Sequence, residues 1–362
     1  MDDGFSTNKN KPVLIIPAAG KSSRYPNMKP KWMLTHPSGQ LMIEKVVEGL
    51  DMSEYSSAFI VILREHCEKY DADVILQQAF GGRIGVVILD SPTSCSPETV
   101  IRCIEINKLD GWIVVKDCDC LVSYSMPKTN RFVVGMNIQN KGNIKNLQQK
   151  SFILANENGI ISEIVEKSIV SNKICLGVYA MHTKDLMTTY SRLSKNMGGE
   201  LYFSHIVSEL VDMGFNFFVS ECNKFEDWGT KEDWFSSSNL NNTYLIDIDG
   251  VLLYNTGKYG KKNWFNTLDP ILENVSTIKK LSDEGNEIVF ITSRTKDALD
   301  LVVDFLEQQG IKYKTIVHSC FHSKRIIIND FASTNPFPSC IAINVPRNNQ
   351  IEPYIIGKKV CN

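Results

Sequence analysis

Apolar runs of strand length alternate with stretches of helical period along most of the chain. Residues 13–16, 58–63, 85–89 and 112–115 are apolar almost throughout, the pattern of strands buried on both faces. Between them, apolar positions at helical spacing predict helices over 40–50 (Leu41, Ile43, Val46, Val47, Leu50), over 64–80, and from Pro97-Glu98 to about Asn107. This alternation predicts a largely parallel sheet in a three-layer α/β/α arrangement. Residues 152–165 then predict a hairpin turning at Asn156-Glu157-Asn158-Gly159. A strand at 174–181, helices near 184–194 and 201–213, and a strand at 217–220 follow.

A polar run at 236–242, Ser-Ser-Ser-Asn-Leu-Asn-Asn, interrupts the series and reads as a linker. A chain of 362 residues is also long for one core. We therefore expect two domains, 1–238 and 239–362, both α/β/α. The second series predicts strands at 243–248, 287–292, 314–317, 325–328 and 340–345, with helices near 274–284 and at 296–309. The chain holds no internal repeat and no low-complexity segment.

Composition narrows the class without deciding it. Charged residues are 22% and the net charge is −2, which suits a soluble protein. No long basic tract points to nucleic acid, and no apolar run reaches the length of a membrane span. The polar N-terminus lacks a hydrophobic signal core, so a cytoplasmic location is expected. Ten cysteines are scattered with no C-x-x-C pair. Cys118 and Cys120 would share a strand face, but no second ligand pair accompanies them, so free thiols in a reducing compartment are expected. No oligomeric state is specified.

The first candidate chemistry follows the first strand. Ala18, Ala19 and Gly20 form a small-residue loop, then come Lys21, Ser22, Ser23 and Arg24, and the basic pair Lys29 and Lys31 around Pro30. Such a loop lets backbone N–H groups approach an anion, and the cations add charge. It is not a P-loop, because Ile15 stands where the first glycine is needed, and it is not G-x-G-x-x-G. Asp117 and Asp119 follow the strand at 112–115, and Asp227 follows the one near Phe218. Separated carboxylates with several cations, at strand carboxyl ends, suit a Mg²⁺–triphosphate complex.

Ala18-Ala19-Gly20-Lys21-Ser22-Ser23-Arg24 with Pro30-Lys31 resembles the signature of the sugar-phosphate nucleotidyltransferases, the pyrophosphorylase group. The resemblance implies a Rossmann-like mixed sheet and catalytic roles for Arg24 and Lys31. It implies metal binding by Asp227, in Glu226-Asp227-Trp228-Gly229-Thr230, and by Asp119, with Asp117 the alternative. It also implies that Glu166-Lys167 meets the substrate phosphate through Lys167, and that Gly177 and Tyr179 lie beside the acceptor. The segment from Ser94 to Thr99 would read base and ribose.

A second site follows from Leu245-Ile246-Asp247-Ile248-Asp249-Gly250-Val251, a strand delivering two carboxylates two residues apart. A carboxylate can accept a phosphoryl group while its neighbour serves as acid and base. This stretch resembles the first motif of the haloacid-dehalogenase (HAD) phosphatases. The resemblance implies Asp247 as nucleophile, Asp249 as acid–base, Thr292 as the second-motif hydroxyl, Lys324 as the third-motif cation, and Asp247, Asp249 and Asp330 around Mg²⁺. Asn329, where many relatives carry an acid, departs from the pattern. The short interval between Asp249 and Thr292 leaves no room for a large cap.

The expectation is a bifunctional enzyme. One domain transfers a nucleoside monophosphate from an NTP, with CTP favoured, to a phosphorylated sugar or alditol and releases pyrophosphate. The other hydrolyses a phosphate monoester. Together they resemble enzymes of capsule and surface-polysaccharide precursor synthesis. The alternatives are a choline-phosphate- or molybdopterin-type nucleotidyltransferase and a non-catalytic HAD-like module.

Overall fold

Val13–Pro17 (β1), Ser57–Leu63 (β2), Gly85–Leu89 (β3) and Trp112–Lys116 (β4) pair in parallel in the order β3-β2-β1-β4. Alternation along β1 explains why both faces are covered. Leu14 and Ile16 enter one core with Trp32, Ile43 and Val46, while Ile15 enters the other with Val100, Ile104 and Phe203. The structure is a computed structural model, and it describes residues 11–20, 28–36, 38–140, 147–196, 199–238, 242–255, 262–265, 268–330 and 340–355. The chain divides into two units, Met1–Trp234 and Phe235–Asn362.

Helices Met42–Glu48 (α1), Arg64–Tyr70 (α2), Ala72–Phe80 (α3) and Ser96–Asn107 (α4) join the parallel strands. The single helix expected over 64–80 is two, because Asp71 adopts a left-handed φ of 51° between them. Beyond β4 the sheet is mixed rather than largely parallel. Cys120–Tyr124 (β5) and Phe132–Asn137 (β6) are strands that the pattern analysis did not identify. Ser151–Ala155 (β7) and Ile161–Glu166 (β8) form the expected hairpin. Lys173–His182 (β9) runs antiparallel to both β4 and β6. Thr183–Asn196 (α5) and Phe203–Asp212 (α6) follow, then Phe218–Asp227 (β10) and Lys231–Ser238 (α7).

β10 changes partners along its length. Phe218–Glu221 pairs in parallel with β6, the register shifts between Cys222 and Lys224, and Lys224–Asp227 pairs antiparallel with β5. The strand therefore extends well past the 217–220 expected from its apolar start, through the polar stretch Glu221–Lys224.

In the second unit, Thr243–Asp247 (β11), Glu287–Ile291 (β12) and Thr315–Val317 (β13) form a parallel sheet in the order β11-β12-β13. Lys262–Phe265 (α8), Leu272–Asp283 (α9), Asp300–Gln308 (α10) and Glu352–Ile355 (α11) complete it. Ile246, Ile248, Ile278, Phe290, Val302 and Leu306 fill its core. Residues 325–328 and 340–345, expected as strands, are not strands. Ile326 and Ile328 are 75% and 93% exposed. A short apolar run becomes a strand only where a neighbour completes its hydrogen bonds, and these two segments pair with none of the described strands. Among the described residues, no helix is long and apolar enough to cross a membrane.

Candidate active sites

The first site is built at the carboxyl end of β4. β9 overhangs that end. Its pairing with β4 runs from Trp112↔His182 to Lys116↔Val178, and the Asp117 N–H donates to the Gly177 carbonyl at 2.8 Å. Gly177 has φ +68°, and a Cβ there would stand 2.3 Å from Asp117 Oδ2. Only glycine fits this left-handed position against the carboxylate.

The chain then turns tightly through residues 117–119 into β5. Lys116 holds the turn from inside. It is fully buried, and its Nζ donates to the carbonyls of Asp117 (2.7 Å) and Cys120 (2.9 Å) and to Cys120 Sγ (3.0 Å). Lys116 thus shapes the loop rather than greeting a ligand.

β10 supplies the other half. Asp227 lies opposite Cys120 in the β5–β10 register, and the Trp228 N–H donates to the Asp119 carbonyl at 2.9 Å. The ladder thus carries the Asp119 and Asp227 backbones to adjacent positions on neighbouring strands. Lys31 Nζ donates to Asp119 Oδ2 at 2.5 Å, and Lys150 Nζ donates to Asp227 Oδ2. Lys31 is set by its neighbours, since Trp32 and Met33 beside it are buried in the core. Lys150 directly precedes β7, and the Lys167 N–H donates to its carbonyl at 3.0 Å.

Electrostatics separates the two carboxyls of the loop. Burial pushes the Asp117 carboxyl up to about 6, reinforced by the Asp119 charge. Burial also pushes on Asp119, but the Lys31 ammonium, by charge and hydrogen bond, outweighs it and holds the carboxyl well below its usual range. For Lys150, burial lowers the ammonium, and Asp227 more than offsets this, leaving it above the usual lysine value. Asp119 is therefore the more firmly ionised of the two, held so by Lys31.

Glu166, at the end of β8, accepts from Ser151 Oγ (2.5 Å) and Ser204 Oγ (2.6 Å). Lys167 next to it has φ 55°, and its Nζ donates to Tyr202 OH at 2.7 Å while lying 4.3 Å from that ring's centroid. Tyr179 is buried and stacks on Phe203 at 5.2 Å, so it belongs to the core beneath the site. Ala18 and Ala19 are buried, and Gly20 faces open space. Lys21, Ser22, Ser23 and Arg24 lie outside the described residues. Ser94 is exposed and hydrogen-bonds Glu98 through its hydroxyl at 2.7 Å. Thr99 is buried, and its hydroxyl meets those of Thr93 (2.5 Å) and the Cys95 carbonyl (3.3 Å), so it braces the loop from within.

The second unit places Asp247 at the end of β11 and Asp249 in the turn after it. Gly250 turns there with φ +101°, and its N–H donates to the Leu253 carbonyl at 2.7 Å. Buried Asn274 ties this loop to the C-terminal segment, donating to the carbonyls of Val251 (2.7 Å) and Asn349 (2.9 Å). Partial desolvation pushes the Asp247 carboxyl up, opposed by the nearby Arg325 guanidinium. Thr292, fully buried after β12, has its hydroxyl 3.5 Å from Asp249 Oδ2. Lys324 and Asp330 are exposed in a stretch without regular structure. The basic group that does meet Asp249 is Arg294, which sequence reasoning missed. Its Nε lies 3.0 Å from Oδ2 and its Nη2 lies 2.7 Å from Oδ1. Arg294 stands two residues after Thr292, and that spacing was its available signal. Lys150 and Ser204 had none, because each reaches the site through tertiary pairing.

Among the described residues, no group of three or more histidine, cysteine, aspartate or glutamate side chains gathers around a point. Cys67, Cys95, Cys103, Cys118, Cys120, Cys175, Cys320 and Cys340 are free thiols.

No family model and no curated protein matches the chain. Its fold does match solved structures. A nucleoside-diphosphate-sugar pyrophosphorylase from Vibrio cholerae superposes with a TM-score of 0.53 at 19% identity, over 62% of this chain and 99% of that one. The inositol-1-phosphate CTP transferase of T. maritima gives 0.51 at 15% identity, over 62% and 93%. A UDP-glucose pyrophosphorylase in complex with UDP-glucose gives 0.50 at 17%, over 63% and 97%. The chain thus carries the fold of these nucleotidyltransferases.

Proposed function

We propose that the first unit transfers a nucleoside monophosphate from an NTP to a phosphorylated sugar or alditol and releases pyrophosphate. The observation that carries this reading is the pairing of Asp119 with Lys31 and of Asp227 with Lys150 at one sheet end. Two carboxylates, each already matched by a cation, form a site built for a larger anion with its counter-ion. The donor set fits Mg²⁺, which accepts one or two carboxylates and takes its remaining oxygens from phosphate and water. Asp119 and Asp227 would hold the ion, which would neutralise charge on the triphosphate.

In this reading Lys31 and Arg24 bind the triphosphate, and Gly20 leaves room for it beside the backbone. Lys167, supported by Glu166, binds the phosphate of the acceptor. An oxygen of that phosphate attacks the α-phosphorus, and the bond to the β-phosphate oxygen breaks as pyrophosphate leaves. CTP is the favoured donor, supported by the CTP-transferase neighbour. The second unit is read as a HAD-like phosphatase in which Asp247 accepts the phosphoryl group, Asp249 serves the leaving oxygen and then water, and Thr292 steadies the anion. The pair would serve surface-polysaccharide precursor synthesis in the cytoplasm.

A second reading is favoured by one observation. Lys324 and Asp330 are exposed in a stretch without regular structure, as expected of a HAD-like module that binds but does not hydrolyse.

The test is a screen of four NTPs against sugar, alditol and choline phosphates, read as pyrophosphate release. Release with one NTP–acceptor pair that disappears in Asp227→Asn supports the reading. No release from any pair by folded protein overturns it.

A further inference from the structure

We propose that Arg294 is the phosphate anchor of the second unit, and that it restrains Asp249 until a phosphate monoester dianion takes its place. This rests on the hydrolytic reading of that unit. The Arg294 side chain is only 5% exposed. Its guanidinium makes a two-pronged contact with Asp249, with Nε 3.2 and 3.0 Å from Oδ1 and Oδ2 and Nη2 2.7 Å from Oδ1. Nη1 lies 3.4 Å from the Trp264 carbonyl. Backbone bonds fix the residue from both sides. The Arg294 N–H donates to Thr292 Oγ1 at 3.1 Å, and the Ser319 N–H donates to the Arg294 carbonyl at 2.7 Å.

A planar fork of donors matches phosphate oxygens as well as it matches a carboxylate. With both of its oxygens accepting from the guanidinium, Asp249 is not placed to hand a proton to a leaving oxygen. A dianion arriving beside Asp247 brings oxygens that compete for the same fork, with Arg325 adding positive charge near Asp247. Once the guanidinium turns to phosphate, Asp249 is released for its role. Lys324, the residue that the motif resemblance puts in the anchor's place, is exposed. Arg294 is the buried cation on the Asp249 side of the site.

The test uses the full chain, inorganic orthophosphate as the binding probe and 4-nitrophenyl phosphate as the ester. Arg294→Gln should weaken orthophosphate binding at least tenfold and raise KM for the ester by more than it lowers kcat. Arg294→Lys should recover part of the affinity. Asp249→Asn removes the competing charge with little change of shape, so it should bind orthophosphate several-fold more tightly than wild type. Relief of charge repulsion alone gives the same gain when Arg294→Lys is added, whereas an anchoring Arg294 predicts that the added Arg294→Lys cuts it, and this arm stands even if Arg294→Gln fails to fold. Unchanged orthophosphate affinity in both Arg294→Gln and Asp249→Asn, with ester hydrolysis by the wild-type protein, overturns the anchor and leaves the hydrolytic reading standing. Orthophosphate binding that needs Arg294, in a protein that releases no phosphate from the ester, keeps the anchor and overturns hydrolysis. A wild-type protein that binds no orthophosphate overturns the proposal.

Discussion

Gly177 and Asp117 share one small volume, where a Cβ on the glycine would sit 2.3 Å from the carboxylate. Gly177→Ala must displace Asp117 or distort β9, and it also strains a left-handed φ. It should cost roughly 2 kcal/mol of stability, measured by urea unfolding. Adding Asp117→Ala should recover the steric share. If the double variant is no more stable than Gly177→Ala, the cost lies in the backbone alone.

Lys31 bridges the loop after β1 to Asp119. Lys31→Ala should lower pyrophosphate release at least tenfold, about 1.4 kcal/mol of barrier, with the unfolding midpoint close to wild type. Near wild-type turnover would remove Lys31 from the site.

The three carboxylates should separate by assay. Asp227→Asn and Asp119→Asn are expected to abolish nucleotidyl transfer, whereas Asp117→Asn should retain it, because Lys31 pairs with Asp119 and Lys150 with Asp227 while the Asp117 carboxyl lies against Gly177. The reverse order for Asp117 and Asp119 would exchange their roles.

The sequence displayed the apolar strands of the parallel half because each is buried on both faces and so is apolar throughout. β5 and β6 escaped for a different reason. β5 carries Ser123 among its five residues and directly follows the acidic turn at 117–119, and β6 carries Gly135, whose Cβ would meet Ile153, Val219 and the Ile174 backbone at 2.9 to 3.2 Å. That glycine signals close packing, yet in sequence it reads as a break. Asp119, Asp227 and Lys31 were legible because they sit in loop motifs. Lys150 and Arg294 were not, since nothing local says which carboxylate each meets. The exposed 325–328 run misled the reading for a complementary reason, since apolar residues indicate what a segment prefers and not whether a partner edge exists.

Burial lowers three histidines, His36, His66 and His205, and the first two illustrate the pH dependence this sets. Burial, with help from Lys45, holds His36 below 6.5, and burial does the same to His66 against the pull of Glu65. Their depressed values favour the neutral form in the folded state. This stability is complete above pH 6.5 and is lost as the pH falls through 6.5 toward the folded-state values. Urea unfolding should show a decline from neutral to mildly acidic pH that becomes shallower in His66→Gln. An unchanged slope would place the acid sensitivity elsewhere.

Asp247→Asn should abolish phosphate release and leave pyrophosphate release near wild type. Asp249→Asn should slow turnover and let a phosphoryl adduct accumulate on Asp247, visible by mass spectrometry of quenched protein. Substantial phosphate release by pure Asp247→Asn would exclude it as the acceptor.

β10 also sets the order in which the first site comes into being. Among the described strands it is the last of its sheet to leave the ribosome and the one that pairs with β5. A nascent chain ending before Phe218 already holds β1 to β9 and the Asp119 loop, but β5 lacks its strand partner and Asp227 does not yet exist. The closing strand supplies the structural brace and the second carboxylate in the same event. Incomplete chains therefore hold most of the scaffold and only the first of the two carboxylates.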